Sequence, residues 1–173
     1  DALLQRLQEK GELAKAHRTC GEVLEERSKS NLPPVAETLA NHYEAAGDFE
    51  RATRMFCTAA EHAIHTFAFE HAASLAHRAA RIIEKSGGNE LVAARANVLV
   101  GKALLLSGKP ADARSALVAA LERTNPDKAS DALGEMHLWL ARAYLALGQA
   151  EAGKSAVDQS LALLKPERQP VAV

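Results

Sequence analysis

The 173 residues carry 21 Lys and Arg against 22 Asp and Glu, a net charge of −1, so no overall charge draws the chain to nucleic acid or a membrane surface. Apolar residues make up 47% but aromatics only 4%, an Ala- and Leu-rich balance that suits closely packed helices better than β-sandwiches. No apolar run reaches the length of a membrane span, because Arg95, Lys102 and Arg142 interrupt the best candidates. Cys20 and Cys57 belong to no C-x-x-C pair and read as ordinary thiols of a reducing compartment.

Helical periodicity runs nearly end to end, as in Leu133, Met136, Leu140, Tyr144 and Leu147 at three- and four-residue steps. In chain order the pattern predicts helices near 2–9, 11–28, 34–46, 49–65, 68–85, 90–107, 110–123, 129–147 and 150–164. Pro33-Pro34, Gly87-Gly88 and Asn125-Pro126-Asp127 supply breaks, and no segment reads as a strand. Residues 1–33 are expected to lead into an array over 34–165, and 166–173 to form a tail. The chain opens on Asp1 rather than Met and shows no signal peptide, so a piece of a longer cytoplasmic protein is expected.

One register recurs along the array. Ala40, Tyr43, Gly47, Ala52, Phe56 and Ala59 are separated by three, four, five, four and three residues. The same steps give Gly101, Leu104, Gly108, Ala113, Leu117 and Ala120, and again Ala141, Tyr144, Gly148, Gly153, Val157 and Ser160. A small residue allows close helix approach, a larger one fills the space beside it, and a glycine ends the first helix in the left-handed conformation. Ala60, Ala63, Phe67, Ala72, Ala76 and Ala79 keep the steps, with Phe67 in place of the glycine. Repeats are therefore read as 34–65, an overlapping 55–85, 90–123 and 129–165, with helix 49–65 serving two pairs. This register resembles the tetratricopeptide repeat, which implies an all-α solenoid of antiparallel helix pairs wound into a right-handed superhelix.

GQAEAGKS, Gly148 to Ser155, satisfies G-x-x-x-x-G-K-[ST], the pattern of a phosphate-cradling loop. Such a loop needs a strand before it, whereas HLWLARAYLAL has helical spacing, so Gly148 is read as a turn glycine and Gly153 as an interior helix position. His62, His65, His71 and His77 lack acidic or cysteine partners and are read as boundary residues rather than metal ligands. Cys57, beside Phe56, is read as core filler. No catalytic set, metal or cofactor is expected.

Asn41, Lys102 and Arg142 each follow the small residue of their repeat and are expected at equivalent points of a concave wall. In peptide-clamping proteins that this repeat resembles, an asparagine there contacts the ligand backbone or terminal carboxylate. Asn41 is expected to do so by that resemblance, with Lys102, Arg142 and Arg95 as cationic donors. Glu37 and Leu138 on the same wall depart from a pure carboxylate clamp.

Residues 12 to 84 carry a further resemblance through the His17-Arg18 helix, Leu39-Ala40-x-His42-Tyr43, Gly47-Asp48 and Ala59-Ala60-Glu61. They resemble a helical module of large bacterial regulators that join such repeats to ATPase, kinase, cyclase or transcription-factor domains. The resemblance implies a non-enzymatic regulatory arm that binds a peptide or partner protein, without nucleic acid or membrane. The alternatives are an ATP-binding domain built on Lys154 and a homo-oligomerisation module.

Overall fold

A computed structural model describes residues 11–164. Eight α-helices and one 3-10 turn account for the described residues, which contain no strand. The helices are α1 (Glu12–Arg27), α2 (Ala36–Ala45), α3 (Phe49–His65), α4 (Phe69–Ser86), α5 (Glu90–Leu106), α6 (Pro110–Arg123), α7 (Pro126–Ala146) and α8 (Ala150–Leu163). The expected helix near 2–9 and the tail at 166–173 lie outside the described residues.

Local chemistry sets the boundaries. Asp48, Asn89 and Asn125 cap α3, α5 and α7 by accepting hydrogen bonds from first-turn N–H groups. Pro110 and Pro126 occupy first-turn positions where no intrahelical N–H is needed. Two boundaries differ from the periodicity. Pro33–Val35 forms a 3-10 turn, so α2 starts at Ala36 instead of 34. α7 starts at Pro126 instead of 129, and its single turn before Ala129 is offset by a kink there (φ −142°, ψ 37°).

The turns after α2, α3, α5 and α7 share one geometry. Gly47, Gly108 and Gly148 lie at φ 74°, 76° and 72°, and Phe67 takes the same left-handed conformation at φ 61°. In each turn the left-handed residue donates to a carbonyl three back and the next residue to one five back, as in Phe67→Ile64 (3.1 Å) and Ala68→Ala63 (2.8 Å). The backbone therefore follows the repeat even where the side chain opposes it.

Helices adjacent in sequence pack together, and α3 packs on α5 and α5 on α7. α3, α5 and α7 thus form one layer; α2, α4, α6 and α8 flank it without touching one another closely. α7 and α8 run antiparallel: Gly153 faces Ala141 and Leu145, while Leu164 faces Gly134. The pairs α3/α4, α5/α6 and α7/α8 are in one register, with turn residues Phe67, Gly108 and Gly148 separated by 41 and 40 residues.

Small residues line the contacts: Ala60, Ala103, Ala113, Ala141 and Ala143 are buried. A Cβ on Gly101 would stand 2.4 Å from Leu117 Cγ and Cδ2, and Leu117 is fully buried. Across the flanking layer the gaps are spanned by long side chains, Glu37–His71 (2.9 Å), Glu44–Arg78, Glu70–Lys109 (3.1 Å) and Glu84–Arg123 (3.0 Å).

Gly101→Ala should lower stability by about 1–3 kcal/mol through overpacking, read from the urea midpoint. Phe67→Gly should act in the opposite sense. The Phe67 side chain is 80% exposed, so relief of the left-handed backbone outweighs its edge contact with Phe69. The expected gain is about 1 kcal/mol, or roughly 2–4 °C in melting temperature. An unchanged or lowered melting temperature would contradict this account of the turn.

Candidate functional site

The α3–α5–α7 face carries a groove of about 530 Å³ whose walls include Glu61, Arg95, Lys102, Asp131, Glu135 and Trp139. A second hollow of about 340 Å³ shares Leu91 and Arg95 with it and continues along α3 to Arg54 and Thr58, with Cys57 in its wall. Helical periodicity explains the gathering. Arg95 and Lys102 are seven apart on α5; Asp131, Glu135, Trp139 and Arg142 follow at four, four and three on α7. The Asn89 and Asn125 caps fix where each stripe begins.

Trp139, half-buried, is the centre of the groove. Lys102 Nζ lies 5.5 Å from its ring centroid and Arg142 Cζ lies 4.6 Å from it, two cations on one aromatic side chain. Among the described residues neither cation has a carboxylate within salt-bridge distance, and Asp131 and Glu135 likewise have no cation that close. Arg95 differs: its guanidinium donates to Glu61 at 2.8 Å, and that hydrogen bond raises its pKa further. The Cys57 thiol is pushed up to about 12 by burial, so it is a neutral part of the wall and not a ready nucleophile.

The residues expected on the concave wall divide into two groups. Arg95, Lys102 and Arg142 come together around Trp139. Glu37 and Asn41 lie on α2, in the flanking layer, where Glu37 bonds His71 and Asn41 is exposed. The α3 equivalent of Lys102 and Arg142 is Glu61, one place after Ala60 and 41 before Lys102. Leu138 is exposed but does not line the groove. Sequence reasoning missed Trp139, Glu61, Asp131 and Glu135; the signal for the glutamate was its position directly after a small repeat residue.

The GQAEAGKS segment joins two helices. α7 precedes it, α8 begins at Ala150, and the Gly153 N–H donates within the helix to the Gln149 carbonyl at 3.0 Å. Lys154 is exposed on α8. The strand, turn and cradle of a phosphate loop are not formed here. Among the described residues no three His, Cys, Asp or Glu side chains gather as metal ligands, and no helix is long and apolar enough to cross a membrane.

No family model matches the chain, and no curated protein matches it. Solved structures do. The crystal structure of BtubC (BKLC) from P. vanneervenii matches with a TM-score of 0.54 at 16% identity, over 91% of this chain and 75% of that one. At that identity the likeness shows a shared fold.

On the same helix as the groove residues, His137 has a buried Nδ1 without a hydrogen-bond partner, and burial lowers its pKa. Burial lowers that of His77 as well. Burial thus disfavours the charged form of both side chains in the folded chain. Their contribution to stability is complete above the unfolded value near 6.5 and is lost as pH falls below it. Urea midpoints should decline from pH 7.5 to pH 5, and His137→Phe should flatten that decline.

Proposed function

We propose that this chain is a non-enzymatic protein-interaction scaffold of the tetratricopeptide-repeat type. It serves as the cytoplasmic regulatory arm of a larger bacterial signalling protein and binds an extended peptide or partner segment in the α3–α5–α7 groove. The observation that carries this reading is Trp139, half-buried in an open groove beneath two cations without acidic partners. Aromatic and arginine side chains in such positions anchor protein interfaces, because they bring large contact area with little conformational freedom to lose. Lys102 and Arg142 suit a partner carboxylate, and Asp131 and Glu135 suit a partner cation. The mixed charge selects a partner by pattern, as the balanced net charge of −1 also implies.

Trp139 is the single tryptophan, so its emission reports on the groove directly. Peptides selected from a displayed library against the intact chain should alter that emission on binding. Lys102→Glu should weaken them at least about tenfold, equivalent to roughly 1.4 kcal/mol. Selection of no binder, or of binders indifferent to both Lys102→Glu and Trp139→Ala, would refute the groove assignment.

A further inference from the structure

The repeat register allows each helix of the α3–α5–α7 layer to be compared at equivalent positions on the side facing the next helix. Three places before the small residue stand Cys57, Val98 and Leu138; four places after it stand Ile64, Leu105 and Leu145. Cys57 and Val98, which face α5 and α7, are 3% and 4% exposed, whereas Leu138 is 39% exposed. Ile64 is buried and Leu105 half-buried, yet Leu145 is 58% exposed. The flanking layer repeats the contrast: Ala80 on α4 and Leu121 on α6 are half-buried, and Leu161 on α8 is 65% exposed. Positions that each earlier pair buries or half-buries under its successor are exposed on α7/α8.

Charge indicates what fits there. One place after the small residue, each helix carries a charge that the following helix answers. Glu61 of α3 meets Arg95 of α5 at 2.8 Å, and Lys102 of α5 meets the Trp139 ring of α7, on a helix that also brings Asp131 and Glu135 to the groove. α7 carries Arg142 at this place, so its far side reads Leu138–Arg142–Leu145, the apolar–cation–apolar pattern of Val98–Lys102–Leu105 on α5. The helix that covers the α5 pattern has a small residue at Ala132, an acid at Glu135 and an aromatic at Trp139.

We propose that the Leu138–Arg142–Leu145 face of α7, continued by Leu161 of α8, is a docking surface that adjoins the groove at Arg142 and otherwise lies outside it. Its occupant is one amphipathic partner helix with the α7 pattern, a small residue followed at three and seven places by an acid and an aromatic. The partner carboxylate pairs with Arg142, and its apolar stripe covers the three leucines. Docking thus extends the α3/α5 and α5/α7 packing by one further step.

The probe is a fluorescein-labelled synthetic peptide of residues 126–147 of this chain, titrated into the intact protein by fluorescence anisotropy. Saturable binding is expected, weakened at least about tenfold by Leu145→Asp and by Leu161→Asp. Both leucines are exposed, and circular dichroism verifies that each variant is folded. Arg142→Glu should weaken binding, and Glu135→Lys in the peptide should restore it. Lys102→Glu in the protein should leave it unchanged. Absence of saturable binding overturns the proposal, as does binding undiminished by Leu145→Asp. Loss with Lys102→Glu but not with Leu145→Asp or Leu161→Asp would assign the peptide to the groove and overturn it too. Sedimentation provides the last arm: a dimer abolished by Leu145→Asp would make a second copy the occupant and rule out the partner helix.

Discussion

Close approach of paired helix backbones, as of α5 on α6 at Gly101 and of α7 on α8 at Ala141 and Gly153, is the constraint on which everything else depends. Helices approach closely only where side chains are small, and Ala60, Gly101 and Ala141 supply that at intervals of 41 and 40 residues. At Gly101 even one methyl group would stand within 2.4 Å of a leucine that has nowhere to move. Each close pair packs in turn on the next, α3 on α5 and α5 on α7, and this brings Arg95, Lys102 and Trp139 to one groove. A larger residue at Gly101 would force α6 away from α5, the helix that carries Arg95 and Lys102, before altering any groove residue.

The flanking layer works by other means. Its helices do not touch closely, and the Glu37–His71 hydrogen bond and the ion pairs Glu44–Arg78, Glu70–Lys109 and Glu84–Arg123 reach across from α2 to α4 and from α4 toward α6. Solvent screens such pairs, and each contributes at most about 1 kcal/mol. Their recurrence at separations of 34 and 39 residues marks register more than it supplies stability. Apolar burial holds the layers together, and the charges select one alignment of neighbouring helices among several that the alanine-rich surfaces would tolerate.

Much of the fold was legible because turn chemistry is local. Gly47, Gly108 and Gly148 lie at positive φ where the register required it, and Phe67 takes the same conformation without being glycine. The grouping of helices was harder, since the steps three, four, five, four, three fit the α2–α3 junction and the α3/α4 pair equally well. Contact between α3 and α5 separates the two, and sequence spacing does not encode it. The same ambiguity groups Asn41 and Glu37, which lie on α2, with Lys102 and Arg142 of α5 and α7. Trp139 went unrecognised for a related reason: its spacing on α7 is ordinary, and only the approach of Lys102 from α5 makes a groove of it. The start of α7 was missed because Asn125 and Pro126 favour a helical turn that the apolar stripe, which begins later, does not announce.

A 16% identity to BtubC alongside a TM-score of 0.54 follows from the same physics. The packing asks only for small, large and turn-forming residues at set intervals, and a great many sequences satisfy that demand. Positions facing outward from the packed helix pairs are released from it. Glu61, Lys102 and Arg142 share one place in the register and differ in sign and reach, although their neighbours Ala60, Gly101 and Ala141 are all small. The scaffold thus fixes where a side chain stands without fixing what it is. The residues that packing leaves free can differ in charge, and Lys102 and Arg142 beside Trp139 are among them.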